Sequence, residues 1–144
     1  MTTELEATST HHIKTISISD VPANRRRGGD IRTILSPATC GATSGFLGTL
    51  RLEPLEVVTE HWHPYSEEFL FCVQGVVTLR LNGEERLLSA NEGILIPIGV
   101  RHRLVNEGST PAFLVFQLAP LAPAPHLGHV DTEDLPEETR EAAR

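Results

Sequence analysis

Cysteine is nearly absent: only Cys40 and Cys72 occur in 144 residues, and their spacing makes no metal pair. Both are expected to be reduced packing residues. Long apolar runs are missing too, and nothing approaches the roughly 18 residues needed to span a bilayer. The opening Met1-Thr2-Thr3-Glu4-Leu5-Glu6 lacks the basic start and apolar middle of a signal peptide, so cytoplasmic residence is expected. Clustered positive charge is scarce, which argues against a nucleic-acid binder. The single basic run, Arg25-Arg26-Arg27-Gly28-Gly29, reads as a solvated loop. Its sharper alternative is a contact for an acidic carrier protein or a phosphorylated arm. No internal repeat is visible.

What is present suits one domain with a real core, at 40% hydrophobic residues. The net charge of −7 is uneven: residues 131–144 carry six acids against two arginines, and so −4 of the total. The body is only mildly acidic.

Residues 1–12 are small and polar and read as a disordered arm in which His11 and His12 are solvated. Ile13–Ile18 and Ile31–Leu35 read as short strands, and Gly45–Leu52 as a third. Further strands are expected near 57–63, 68–73, 76–81, 86–88, 94–96, 101–105 and 112–118, with Asn82-Gly83 as a hairpin turn. Many short strands at regular spacing predict an all-β sandwich or barrel over 13–120. A tail, 121–144, is first Pro-rich and then acidic, with a frayed terminal helix over Leu135–Arg140. Strands 68–73 and 112–118 are apolar on both faces, which demands cover from outside the barrel, and a homodimer supplies it.

Three imidazoles and a carboxylate stand out against this frame. Side chains at i and i+2 of a strand share a face, so His61 and His63 can reach one ion from a single strand. Glu68 opens the next strand and shares its face with Leu70 and Cys72, while Glu67 points the other way. His102 follows a rigid turn in which Pro97 fixes φ and Gly99 permits a backbone that other residues resist. A single histidine on a strand is more often hydrogen-bonded or solvated than ligating. The joint spacing is what makes a site for a divalent first-row metal, a mixed N/O set that zinc, iron, manganese and nickel all accept.

These residues resemble the cupin superfamily, whose two motifs are written G(X)5HXH(X)3,4E(X)6G and G(X)5PXG(X)2H(X)3N. His61, His63, Glu68 and Gly75 meet the first, and Pro97, Gly99, His102 and Asn106 meet the second. The opening glycines are replaced by Leu55 and Asn91. The resemblance implies a single cupin β-barrel of jelly-roll type. The wording from Glu60 to Leu70, the Pro97–Arg103 turn, and the segments Leu118-Ala119-Pro120-Leu121 and Leu127-Gly128-His129-Val130-Asp131 are similar to the small cupin polyketide cyclases of actinobacterial aromatic polyketide pathways, of the tetracenomycin and spore-pigment type. That likeness covers roughly residues 25–135.

It implies a poly-β-ketone substrate, free or tethered to an acyl carrier protein, and closure by intramolecular aldol attack and loss of water. A metal on His61, His63, Glu68 and His102, zinc first, would act as a Lewis acid. Three further residues are catalytic candidates. Tyr65 either exchanges a proton at the barrel mouth or packs on Pro64; His129 either reaches back as a base or extra ligand or is an exposed tail residue; Gln117 either points into the lumen or faces a neighbouring strand. Trp62 and Phe69, out of phase with the ligands, are assigned to packing. Two other classes stand beside the cyclase. One is an iron-dependent dioxygenase acting on an aromatic or diketone substrate, separable by metal identity because zinc cannot supply redox chemistry. The other is a small-molecule-binding cupin without turnover, which commonly carries a fused DNA-binding helical domain that this chain lacks.

Overall fold

A computed structural model describes residues 9–136. Ten strands follow in order: β1 (Asp30–Leu35), β2 (Phe46–Leu52), β3 (Val57–Trp62), β4 (Glu67–Gln74), β5 (Val76–Leu81), β6 (Glu84–Ser89), β7 (Gly93–Ile96), β8 (His102–Val105), β9 (Ala112–Ala119) and β10 (Val130–Asp131). A short helix, α1 (Pro37–Cys40), lies between β1 and β2, capped by Ser36. No helix among the described residues is long and apolar enough to cross a membrane.

All pairings are antiparallel, in two five-stranded sheets ordered β1-β2-β9-β4-β7 and β10-β3-β8-β5-β6. Period-two alternation decides what lies between them: Leu50 and Leu52 from β2, Leu70 and Cys72 from β4, and Leu114, Phe116 and Leu118 from β9 face Val58, Val77, Leu79 and Leu104 of the second sheet. Both cysteines are free, and Cys72 is part of this core.

Asn82 and Gly83 both adopt positive φ in the β5–β6 hairpin, as that dipeptide favours. Leu55 and Asn91, which stand where the motif pattern has glycine, are also left-handed at φ 71 and 70. The turn geometry is kept although the glycine is not, at a steric cost that a leucine bears more heavily than an asparagine.

Three expectations change. Ile13–Ile18 forms no strand: the chain runs irregularly into a 3-10 turn, Ile18–Asp20, whose capping box joins Ser17 and Asp20. Local side-chain bonds there compete with a ladder, and Ile13 stays 74% exposed because no strand edge receives it. Phe69, read as packing, is 45% exposed on the outer face of β4 with Phe71 and Val73. The tail is not separate from the barrel, since β10 joins the second sheet against β3. Within the arm assigned to 1–12, Thr10–His12 makes one exposed 3-10 turn and residues 1–8 lie outside the described residues. The helix expected at Leu135–Arg140 falls mostly outside them too.

Asn106, fully buried, ties the loops at one end of the barrel: its Nδ2 donates to the carbonyls of Leu52 (2.9 Å) and Thr110 (2.8 Å), and its Oδ1 accepts from Gly108 N (2.9 Å). Asn106→Ala strands these buried groups and should lower unfolding free energy by about 2–4 kcal/mol. Denaturant melts at constant m-value will check this, and a loss below about 1 kcal/mol would contradict it.

Candidate metal centre

The site is built on adjacent strands of the second sheet. β3 carries His61 and, just past its end, His63; β8 carries His102, which is the register partner of His61. Pro97 and Gly99 (φ 84) turn the chain into β8, and Gly99 N is anchored on the His63 carbonyl at 3.0 Å. The ring centroids of His61 and His102 are 4.3 Å apart, those of His63 and His102 4.9 Å, and those of His61 and His63 5.1 Å. All three residues are buried, with ligating nitrogens within 4.8 Å of one another.

Each ring has one nitrogen committed. Nδ1 donates to a backbone carbonyl in every case: Thr59 for His61 (2.8 Å), Gly128 for His63 (3.0 Å) and Val100 for His102 (2.9 Å). That bond places the proton on Nδ1 and a lone pair on Nε2, the second-shell arrangement that prepares an imidazole to ligate. Nε2 of both His63 and His102 is buried without a hydrogen-bond partner. Burial first, and the neighbouring imidazoles after it, hold His61 well below its usual pKa and His63 down to about 3.

Glu68 of β4 comes in from the facing sheet, its Oε2 3.4 Å from His102 Nε2. Its cross-strand partners are Ile96 and Leu118, and burial raises its pKa against the opposing influence of His102. A carboxyl oxygen facing an imidazole lone pair in a dry interior is stabilised by a cation shared between them. The donor set therefore fits a divalent metal, which His61, His63 and His102 would hold with Glu68 adjacent.

The other candidates separate. His129, half-buried, lies beside the cluster, its ring 4.7 Å from His63 and 5.8 Å from His61. Burial and the Arg27 charge push its pKa down to about 4. Tyr65 is 43% exposed in the β3–β4 loop. Gln117 is outside the barrel: it is exposed between the buried Phe116 and Leu118 and pairs with the outward Phe69, so it is withdrawn as a lumen residue. Sequence reasoning missed the Gly128 carbonyl and Arg27, whose partner Asp131 is far away in the chain. No local pattern signals either.

Two antiparallel sheets with clustered strand-borne histidines define a cupin barrel. The cupin domain family matches residues 48–117. Polyketide synthase CurC of Streptomyces cyaneus is 51% identical over 83% of this chain and 78% of that protein. Tetracenomycin polyketide synthase protein TcmJ of Streptomyces glaucescens is 50% identical over 84% of this chain and 81% of that protein. The chain belongs to the cupin family, in the group that holds these Streptomyces proteins. Among solved structures, the polyketide cyclase RemF from Streptomyces resistomycificus superposes with a TM-score of 0.70 at 18% identity, covering 92% of this chain and 94% of that one, and shares the fold.

In the metal-free protein the unfolded chain protonates its histidines near 6.5, while folded His61 and His63 resist until far lower pH. For these two groups the unfolded state binds more protons in that window, so their contribution to stability is complete above pH 6.5 and is lost as pH drops toward about 3. Glu68, with its raised pKa, acts in the opposite sense above 4.5. Thermal melts of the metal-free protein should decline across it, and less steeply in His63→Gln. The same pH slope in the parent and His63→Gln between about pH 7 and 4.5 contradicts the assignment of buried neutral imidazoles.

Proposed function

We propose that this protein is a metal-dependent polyketide cyclase that closes a poly-β-ketone by intramolecular aldol attack and dehydration to an aromatic ring. The observation that carries the reading is the cluster of three buried imidazoles, with Nε2 of His63 and His102 buried and unpartnered, in a chain half identical to proteins named for polyketide synthases. When bound, a divalent ion, zinc first, supplies Lewis acidity toward a ketone or enolate oxygen without electron transfer.

The protein's own groups do the rest. Burial keeps His61 and His63 neutral, and the Nδ1 bonds of all three rings to backbone carbonyls leave the Nε2 lone pairs for an ion. His129, beside them and half-buried, takes one α-proton as the enolate forms and returns it to the alkoxide oxygen left by C–C bond formation. It then takes the second proton of that carbon and gives it to the hydroxyl, which departs as water. Tyr65, exposed next to the ligands, is a second proton carrier at the mouth. The apolar side chains of Leu70 and Leu104 limit which carbon meets which carbonyl, and positioning of this kind removes several kcal/mol of barrier. The substrate is free or carrier-tethered, and the enzyme cytoplasmic.

With purified protein and a poly-β-ketone supplied free and on a carrier, cyclisation should proceed without oxygen, require zinc or another divalent ion, and give a folding pattern different from the spontaneous one. His129→Ala should slow turnover by about 100-fold while keeping metal content. Turnover only with ferrous iron in air would replace this reading with the dioxygenase.

The outer face of the first sheet supports a homodimer. Phe69, Phe71, Val73 and Leu95 are each about 45% exposed, and Phe69, Phe71 and Leu95, with Leu47 and Val115, border a shallow groove of about 420 Å³. Sedimentation at low micromolar concentration should show a dimer, and Phe71→Glu a monomer. A monomeric parent removes the claim.

A further inference from the structure

The family match ends at residue 117, yet the chain beyond it reaches the metal histidines. After a 3-10 turn at Pro125–Leu127, Gly128 offers its carbonyl to His63, His129 stands beside the cluster, and β10 runs along β3 with Val130 opposite Trp62 and Asp131 opposite His61. Two register pairs are a weak ladder on their own.

A charged fork reinforces it. Arg27 Nε donates to Asp131 Oδ1 at 2.6 Å and Nη2 to Oδ2 at 3.1 Å, a bidentate geometry, with side chains only 13% and 26% exposed. Arg27 is itself fixed to β3, since its carbonyl accepts from Thr59 N at 2.9 Å. That approach needs Gly28, whose φ is +100° and where a Cβ would overlap the Val57 carbonyl oxygen. Thr59 in turn supplies the carbonyl that orients His61. The Arg27 loop and the tail strap are thus bonded to the same strand and to each other, and each borders a carbonyl that sets a histidine tautomer.

We propose that Arg27 and Asp131 are positioning residues of the metal centre: their ion pair clamps the 125–131 strap to β3, so that the Gly128 carbonyl holds His63 with Nε2 free and His129 stays at the cluster edge. The inference rests on the reading of His61, His63 and His102 as metal ligands, and its test needs no turnover.

Metal-free protein is titrated with Co²⁺ against a chromophoric chelator, the visible spectrum of the bound ion is recorded, and amide exchange is followed over residues 128–132. Asp131→Asn and Arg27→Met should each weaken Co²⁺ binding by about 10-fold or more, shift the visible bands and speed exchange in the strap. The charge-swapped double variant Arg27→Asp with Asp131→Arg should recover most of all three. Should the single variants fail to fold, Arg27→Lys keeps the charge but loses the fork, and an intermediate loss of affinity is expected. Affinity within twofold of the parent and an unchanged spectrum in the folded variants overturn the clamp, even if the strap exchanges faster. A parent that takes up no Co²⁺ overturns the metal reading itself, and the clamp with it.

Discussion

Three bonds from imidazole Nδ1 to backbone carbonyls organise this molecule. Without them, three histidines buried within a few ångströms of one another would have no fixed ring orientation or tautomer. With them, each ring has its proton on Nδ1 and leaves Nε2 for an ion, while burial holds His61 and His63 neutral. Two of these carbonyls, Thr59 and Val100, lie two residues before the histidine they orient, so β3 itself sets the tautomer of His61 and the turn leading into β8 sets that of His102. The third comes from Gly128, which makes the site depend on a segment far along the chain.

The barrel bears the cost of this arrangement. Desolvated His61, His63 and Glu68 weaken the metal-free state, and the core side chains of Leu70, Leu104, Ile96 and Leu118 contribute burial but no hydrogen bonds. A bound divalent cation would turn the same donors from a liability into a source of stability, because binding to the folded state alone adds to folding free energy. Metal binding and stability would therefore be coupled through the same four side chains.

Much of this was legible in the sequence. The His-x-His pair, Glu68 in phase with Leu70 and Cys72, and the Pro97–Gly99 turn are local features, and local periodicity fixes which way such side chains point. Strands whose both faces are apolar defeat the same logic. In β9, Phe113 and Val115 are as hydrophobic as Leu114 and Phe116, so the sequence does not say that Gln117 belongs to the outer set; its pairing with Phe69 decides that. Ile13–Ile18 has a strand's composition but no partner edge. His129 joins the site through the β10–β3 pairing, 65 residues of separation between His63 and Gly128 included. Long-range pairing is information that spacing does not carry.

The central claim is that His61, His63 and His102 form one metal centre. Equilibrium zinc titration of metal-free parent and His102→Ala, with metal counted per chain, tests it most directly. One ion per chain is predicted for the parent, and a loss of affinity in His102→Ala beyond the roughly 10–100-fold that removal of an outer-shell partner costs. Equal stoichiometry and affinity in the two proteins would contradict it.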